Sequence, residues 1–280
     1  MSDWTAFLLA RGASFDADAV SAFGDAARER VASRDAAVVC PLGPLGALSV
    51  SGPDAASFLQ GQFSNDVTAL APGGGQLSAW CSPKGRVLAN FTLRCIAGDH
   101  FELLLPRLLL EAVQRRLSMF VLRAKVTLRD ASDAAIRIGV GGPAAAECVA
   151  GLAGAAPPLL RWTPIEGGSV AALPGPRFIV SVDPTAAPGR WDRLAGGAHA
   201  AGFPCWQWLT IQAGVPVILP PTQDQFVPQM LNLDLLGGIS FHKGCYVGQE
   251  IVARMQYLGR LKERLALAHA GSALVPGTRL

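Results

Sequence analysis

Hydrophobic and polar positions change period several times along this 280-residue chain. Ser2 to Arg34 reads as helical, with Arg28, Glu29 and Arg30 on a solvated face. "AAVVCPLGPLGALSVSG" then gives short apolar strands around a Pro/Gly turn. In "GPDAASFLQG", Pro53 suits a first helical position, Asp54 favours the positive helix start, and Gly61 suits the end. The same strand–Gly-Pro–Ala pattern returns at "IRIGVGGPAAAECVAG", around Gly142 and Pro143, as a faint internal echo. Between the echoes, alternation on both sides of Ser82-Pro83-Lys84-Gly85 predicts a β-hairpin, and "FELLLP" a further strand. "RLLLEAVQRRLSMF" has helical spacing, and Lys125 to Arg129 alternates as a strand. Strands are expected near Val170 and Phe178, then a helix from about Gly189 to Ala201. No regular strand–helix–strand rhythm of parallel crossovers emerges, so the pattern favours an α+β fold over a doubly wound sheet.

Composition sharpens this reading. At 280 residues the chain exceeds what one compact core usually organises, so two or more domains are expected. Half the residues are hydrophobic and 16% are charged, enough for a large core. A net charge of +3 does not mark a nucleic-acid-coating protein. Leu194 to Gln223 is free of charge, but Pro204, Pro216, Pro220, Pro221, Gln207 and Gln212 interrupt it. It reads as a buried helix followed by a Pro-rich loop, not as a membrane span. The N-terminus shows no basic region followed by an apolar run, so no secretory signal is visible and a cytoplasmic location is expected. Six cysteines lie far apart with no Cys-x-x-Cys spacing, which predicts reduced thiols and no zinc or cluster site. "LKERLALAHAGSALVPGTRL" ends the chain as one strand and a turn of an unfinished unit.

Several stretches carry chemistry. "GVGGPA" fits a loose dinucleotide pattern, but the acidic residue expected about 20 positions on is missing, and Pro143 is better explained as a helix starter. Asn65-Asp66 follows a helix end; the pair forms either an Asx turn or a carboxylate held ready for a cationic amine or a nucleophilic nitrogen. Lys84 and Arg86 at the hairpin tip are solvated charges or a landing point for a carboxylate or phosphate. In "HKGCYVGQEIVAR", Gly244 and Gly248 permit a tight backbone path into a helix over Gln249–Arg254. Cys245 ahead of that helix, beside His242 and Lys243, is either a reactive thiolate or a structural thiol in a Gly-rich loop.

"KGCYVGQE" resembles the K-G-C-[FY]-x-G-Q-E signature of the YgfZ family, folate-binding relatives of the glycine-cleavage T-protein. "VSGPDAASFLQGQFSNDV", "SPKGRVLANFTL", "IQAGVPVI" and "FVPQMLNLD" are also similar to family segments, from about Ala36 to Arg264. The resemblance implies an α+β, T-protein-like folate-binding core of two intertwined sub-domains over 1–258. One is expected at about 1–50 with 125–258, the other at about 51–124, and 259–280 as the truncated start of a C-terminal β-barrel. It implies a tetrahydrofolate-binding accessory factor for assembly or repair of iron–sulfur enzymes, including tRNA-modifying ones; the alternative is a folate-dependent one-carbon transferase. Expected partners are folate, iron–sulfur client proteins and a tRNA contact, with no membrane and no resident metal.

By the same resemblance, Asp66 and Cys245 carry the chemistry, and Asn65, Asp66, Gln212 and Arg254 hold non-covalent tetrahydrofolate or a derivative. Lys243, Gly244, Cys245, Tyr246, Gly248, Gln249 and Glu250 form the signature loop. One departure stands out. Related sequences read R-x-E-A-G where this chain has "TIQAG", placing Thr210 and Gln212 at the Arg and Glu positions. An amide offers one acceptor oxygen where a carboxylate offers two, so a bond to the pterin is lost or the ligand tilts.

Overall fold

A computed structural model describes residues 2–272 together with 274, 275 and 278. The first stretch forms α1 (Asp3–Leu9), a small hairpin of β1 (Ser14–Asp16) and β2 (Ala19–Ala22), and α2 (Ala26–Asp35). β3 (Val38–Pro41), β4 (Leu45–Ser51) and α3 (Ala55–Gln60) follow, then β5 (Gly75–Cys81), β6 (Val87–Ala97) and β7 (His100–Pro106). Next come α4 (Arg107–Ser118), β8 (Thr127–Asp130), β9 (Ile136–Gly141), α5 (Ala145–Ala153), β10 (Thr163–Ile165), β11 (Gly168–Leu173) and β12 (Arg177–Val182). The rest is α6 (Ala187–Ala195), β13 (His199–Ala200), α7 (Phe203–Gln212), 3-10 turns at Pro220–Thr222 and Pro228–Leu231, and α8 (Gln249–Tyr257). The fold is α+β.

Two compact units divide the chain. The first, Met1–Leu45 with Ser132–Val215, holds a six-stranded sheet in the order β10-β11-β12-β9-β3-β13. Val39, Ile138, Val140, Val170 and Val180 meet Leu8, Val149, Trp191 and Leu194 in its core. The second, Gly46–Ala131 with Pro216–Leu280, holds a five-stranded sheet in the order β5-β6-β7-β4-β8. β5 and β6 are the expected hairpin around Ser82–Gly85, with Trp80 opposite Ala89 and Cys81 opposite Val87. Phe63 and Phe91 pack edge to face at 4.6 Å inside its core.

The Gly-Pro echo is real in structure, once in each unit. Gly52 between β4 and α3 has φ +133°, and Gly142 between β9 and α5 has φ +105°. A Cβ at either would press into a backbone carbonyl, of Lys125 at 2.1 Å or of Ala36 at 2.4 Å. Only glycine fits both the dihedral and the space.

Four expectations are corrected. The stretch from Ser2 to Arg34 is not one helix: left-handed residues Gly12, Ala17 and Gly24 turn the chain through β1 and β2. Glu29 is not solvated but 5% exposed. Its Oε1 accepts the Phe23 N–H at 2.6 Å and its Oε2 the Gly202 N–H at 2.9 Å. The helix expected over Gly189–Ala201 is α6, which stops at Ala195, and β13 takes up His199–Ala200; α7 follows as a separate helix with Pro204 in its first turn. Residues 216–258 belong to the second unit, not the first. Asn90 draws them in, donating to the Pro216 carbonyl at 2.7 Å and accepting the Ile218 N–H at 2.8 Å.

Beyond α8 the described residues form no helix or strand, so the expected barrel strand is not built there. A strand needs a backbone partner along its length, and here the Leu265 N–H alone donates to a distant carbonyl, that of Met230. Arg264 anchors the segment through two bonds to Asp234, at 3.0 and 2.8 Å. Positions 273, 276, 277, 279 and 280 of that expected unit lie outside the described residues. No helix among the described residues is long and apolar enough to cross a membrane.

Glu29 ties two backbone N–H groups that have no other acceptor if its carboxylate is removed. Glu29→Ala is expected to lower unfolding free energy by about 2–4 kcal/mol, from two unsatisfied buried donors. A urea midpoint equal to wild type would show that the carboxylate does not hold these segments.

Candidate functional site

The second unit brings three pieces of the chain together: the turn after α3, the β5–β6 hairpin and the loop entering α8. α3 is short and stops at Gln60, with Gly61 as its cap; the Ser57, Phe58 and Leu59 carbonyls accept from Gly61, Gln62 and Phe63, and that of Gln60 is left without a helical partner. The chain then runs beside β5. Phe63 bridges Trp80, and the Ser64 hydroxyl accepts the Ala79 N–H at 2.8 Å while donating to Gly238 at 2.7 Å. Asn65 Nδ2 donates to the carbonyls of Leu77 at 2.9 Å and Gly237 at 2.7 Å, and its Oδ1 accepts the Asp66 N–H at 2.9 Å. Asn65 is therefore a brace for the turn, with both ends of its amide engaged.

Asp66 is half-buried, and its two oxygens differ. Oδ1 accepts from Thr68 Oγ1 at 2.7 Å, Gln60 Nε2 at 3.0 Å, and the N–H groups of Thr68 and Ala69 at 3.1 and 3.3 Å. Oδ2 has no partner among the described residues. The turn and the available carboxylate thus coexist, one on each oxygen. Hydrogen bonds from Thr68, then Gln60 and the two backbone groups, hold the Asp66 pKa below the usual carboxylate value, so it is ionised at neutral pH.

Lys243 joins this turn to the cysteine loop. Its Nζ donates to the carbonyls of Gln60 and Phe63 at 2.6 Å each and of Asn65 at 3.0 Å. Three donors meet three acceptors, and one of those carbonyls is the orphan at the end of α3. The Tyr246 ring lies 5.1 Å from the same ammonium. Lys243 is 8% exposed, and burial pulls its pKa from 10.5 down to about 8, with Asp66 opposing that shift. This corrects the expected role of Lys243: its N–H groups are engaged by carbonyls and do not reach the Cys245 thiol.

Beyond Lys243 and Gly244, Cys245 is exposed, whereas Cys40, Cys81, Cys95 and Cys205 are buried and Cys148 is half-buried. Tyr246 turns inward, and burial pushes its phenol pKa up. Gly248 starts α8 at φ +81°, with a Cβ position 2.4 Å from the Ser82 carbonyl; a Cβ on Gly85 would sit 2.7 Å from Ile251 Cβ. Two glycines thus let helix and hairpin close on each other. A shallow groove of about 430 Å³ results, lined by Pro83, Cys245, Gly248, Gln249, Glu250 and Ala253.

Other expected residues make no side-chain bond to this assembly. Arg254 is exposed on α8 and makes no ion pair or side-chain hydrogen bond among the described residues. Gln212 is exposed at the end of α7, in the first unit. Near it, Arg177 Nη1 donates to Thr210 Oγ1 at 2.8 Å, and burial lowers the Arg177 pKa to about 10. Arg86 at the hairpin tip is exposed and donates through Nη1 to the Gln225 carbonyl, leaving its other N–H groups toward solvent. Among the described residues no group of three or more His, Cys, Asp or Glu is arranged to hold a metal ion. Sequence reasoning missed Gln60 and Thr68, the main partners of Asp66. The signal for Thr68 was present in its Asx-turn spacing of two, whereas Gln60 has no local signature.

Comparison with known proteins follows this geometry. Residues 6–173 match the family model of the GCVT N-terminal domain. The tRNA-modifying protein YgfZ of Klebsiella pneumoniae is 37% identical over 234 residues, 81% of this chain and 70% of that protein. Its counterpart in Cronobacter sakazakii is 35% identical over 231 residues, again 81% and 70%. The crystal structure of the glycine cleavage system aminomethyltransferase T from Bartonella henselae superposes with a TM-score of 0.77. That match covers 90% of this chain and 74% of the other at 17% identity, and so shows a shared fold.

Two substitutions test the assembly. Lys243→Met is expected to cost about 2–3 kcal/mol of stability and to change the iodoacetamide reaction rate of Cys245. The native Lys243 pKa lies below 10.5, so between about pH 8 and 10.5 the unfolded chain binds the extra proton. The stability advantage of wild type over Lys243→Met should therefore grow as pH rises through that window; a flat difference would refute the lowered pKa. Gly248→Ala meets both a carbonyl and an unfavourable φ, and is expected to cost about 1–3 kcal/mol. Unchanged thermal unfolding and Cys245 alkylation in this variant would mean that helix and hairpin are not in close contact.

Proposed function

The chain belongs to the YgfZ family and carries a GCVT N-terminal domain, and on that footing we propose that it binds tetrahydrofolate as an accessory factor for iron–sulfur enzymes. Its clients in this reading include enzymes that modify tRNA, and its place of work is the cytoplasm. The observation that carries the proposal is the Lys243 ammonium, which fastens the Asp66 turn to the loop bearing Cys245.

Residues of the second unit fit a reduced pterin. Its amino and ring N–H groups need acceptors, and Asp66 Oδ2 is a charged acceptor held in place by the bonds to Oδ1. Asn65 supports that turn rather than meeting a ligand itself. Arg254 offers an exposed cation for the folate carboxylates; the family resemblance adds the amide oxygen of Gln212, a residue of the first unit. When bound, tetrahydrofolate would supply a nitrogen able to carry a one-carbon unit. Cys245, the one exposed thiol among the described cysteines, would act on the client side, where a thiolate can exchange with sulfur or bind iron. One thiol does not complete a cluster, which takes four ligands as a rule. The role is thus assistance or repair, with the cluster residing in the client.

Anaerobic titration with tetrahydrofolate, followed by tryptophan fluorescence, tests this reading. Trp80 is a suitable reporter because it bridges Phe63, whose carbonyl accepts from Lys243. Asp66→Ala is expected to weaken binding at least about tenfold, and Gln212→Glu to tighten it about ten- to hundredfold. Cys245→Ala should keep the affinity and lose support of iron–sulfur enzyme activity in cells lacking the protein. Absence of binding up to millimolar ligand would remove folate from the function. Turnover of a one-carbon donor that needs Asp66 but survives Cys245→Ala would favour a transferase instead.

A further inference from the structure

α4 and the turn after it form a surface unlike the rest of the second unit. Arg115, Arg116, Arg123 and Lys125 are all exposed there, and Arg129 is exposed on β8. Glu111 on the outer face of α4, Asp130 on β8 opposite Leu48, and Asp54, which accepts the Lys125 backbone N–H at 2.8 Å, are acidic groups on this side. Among the described residues no carboxylate pairs with the side chains of Arg115, Arg116, Arg123, Lys125 or Arg129. Gln114 Nε2 donates to the Leu128 carbonyl at 3.2 Å, which ties β8 to α4; Arg129 pairs with Ser49 on the sheet face away from α4, so the cations of the helix and turn are Arg115, Arg116, Arg123 and Lys125. β8 is the edge of its sheet. Edge protection accounts for a charge at Arg129 but not for the arginines on α4 and the turn.

The turn adds large apolar groups to the charge. Met119, Phe120 and Leu122 are exposed, Leu122 at 88%. Leu122 has φ +45°, a conformation that costs a leucine about 1–2 kcal/mol and glycine almost nothing. Its side chain contributes nothing to the core while standing on strained backbone. Phe120 packs edge to face on Trp80, and the Arg116 guanidinium lies 5.7 Å from that same ring. Guanidinium planes interleaved with apolar and aromatic side chains suit phosphates and unstacked bases together.

We infer that the C-terminal half of α4 and residues 119–125 form a docking surface for RNA with unpaired loop bases. Phosphates lie along the arginines, and one or two bases rest on Phe120 and Leu122. A membrane is disfavoured because the apolar face of α4, formed by Leu109, Leu110, Val113 and Leu117, is buried in the core. Guanidinium predominance and exposed platforms favour RNA over an acidic protein. None of these residues belongs to the Asp66–Cys245 site, so this inference stands or falls separately from folate binding.

Anisotropy of fluorescein-labelled total tRNA, titrated with the whole protein at several KCl concentrations, provides the test. Arg115→Gln/Arg116→Gln/Arg123→Gln is expected to weaken binding at least about tenfold and to flatten the log–log salt slope by about two. Each single change should weaken it several-fold, which keeps the test decisive if the triple variant is poorly folded. Leu122→Ser should reduce affinity with the slope unchanged, because it removes a platform and no charge. Neutralising Arg30, Arg161 and Lys262 together, three exposed cations elsewhere, should have little effect. Wild-type affinity and slope in the triple and single variants would overturn the inference. So would competition by polyglutamate as strong as by tRNA at equal charge, or wild-type binding to anionic vesicles and not to tRNA.

Discussion

A buried ammonium with three backbone carbonyls around it is the contact on which the candidate site depends. Lys243 supplies N–H groups to the end of α3, to the strand-like segment beside β5 and to the residue before Asp66. An ammonium is a compact donor of three bonds, which a planar guanidinium could not arrange in this way. Burial makes the charge costly, and the carbonyls offset that cost only while all three stay in place. The arrangement is therefore cooperative. Displacing the Asp66 turn strands the lysine, and displacing the lysine frees the loop that carries Cys245.

Glycine pairs with this contact to set the distances. Gly85 and Gly248 remove side chains where hairpin meets helix, so the backbone after Cys245 settles directly on the Ser82 carbonyl. Elsewhere Gly52 and Gly142 do the same for the two strand-to-helix turns. The signature is thus largely a packing requirement. Lys243 needs carbonyls, Tyr246 needs burial beside the ammonium, and Gly248 needs empty space. Cys245 alone among these neighbours turns outward, which separates the residues that hold the loop from the one that is free to react.

Much of this was legible in the chain. Period-2 alternation around Ser82–Gly85 identified the β5–β6 hairpin, because one face of each strand is buried and the turn residues are distinctive. "RLLLEAVQRRLS" identified α4 by its spacing, and Gly-Pro marked both turns into helices. Local pattern failed where distant partners decide. Glu29, flanked by two arginines, reads as solvated; only the folded chain shows the Phe23 and Gly202 N–H groups that bury it. The N-terminal helix was overextended because left-handed turns at Gly12, Ala17 and Gly24 outweigh helix propensity. At the candidate site, Asp66 and Cys245 stand out by motif alone. Lys243 was read as a neighbour of the thiol, since adjacency in sequence says nothing about which way a long side chain points.

The interleaving of the two units bears on the order in which the protein is made. Synthesis runs from the N-terminus, and domains tend to fold as their last segments emerge. The first unit has all its residues once Val215 is made. The second begins earlier, at Gly46, yet its core waits for Ile218, Leu231, Leu233, Ile239 and Val252. During that interval the apolar faces of β5 and β6 have no cover from these residues. Arrival of Lys243 then closes carbonyls made some 180 residues earlier. The cysteine loop is therefore a late fastener of its unit, made after every strand of that unit's sheet.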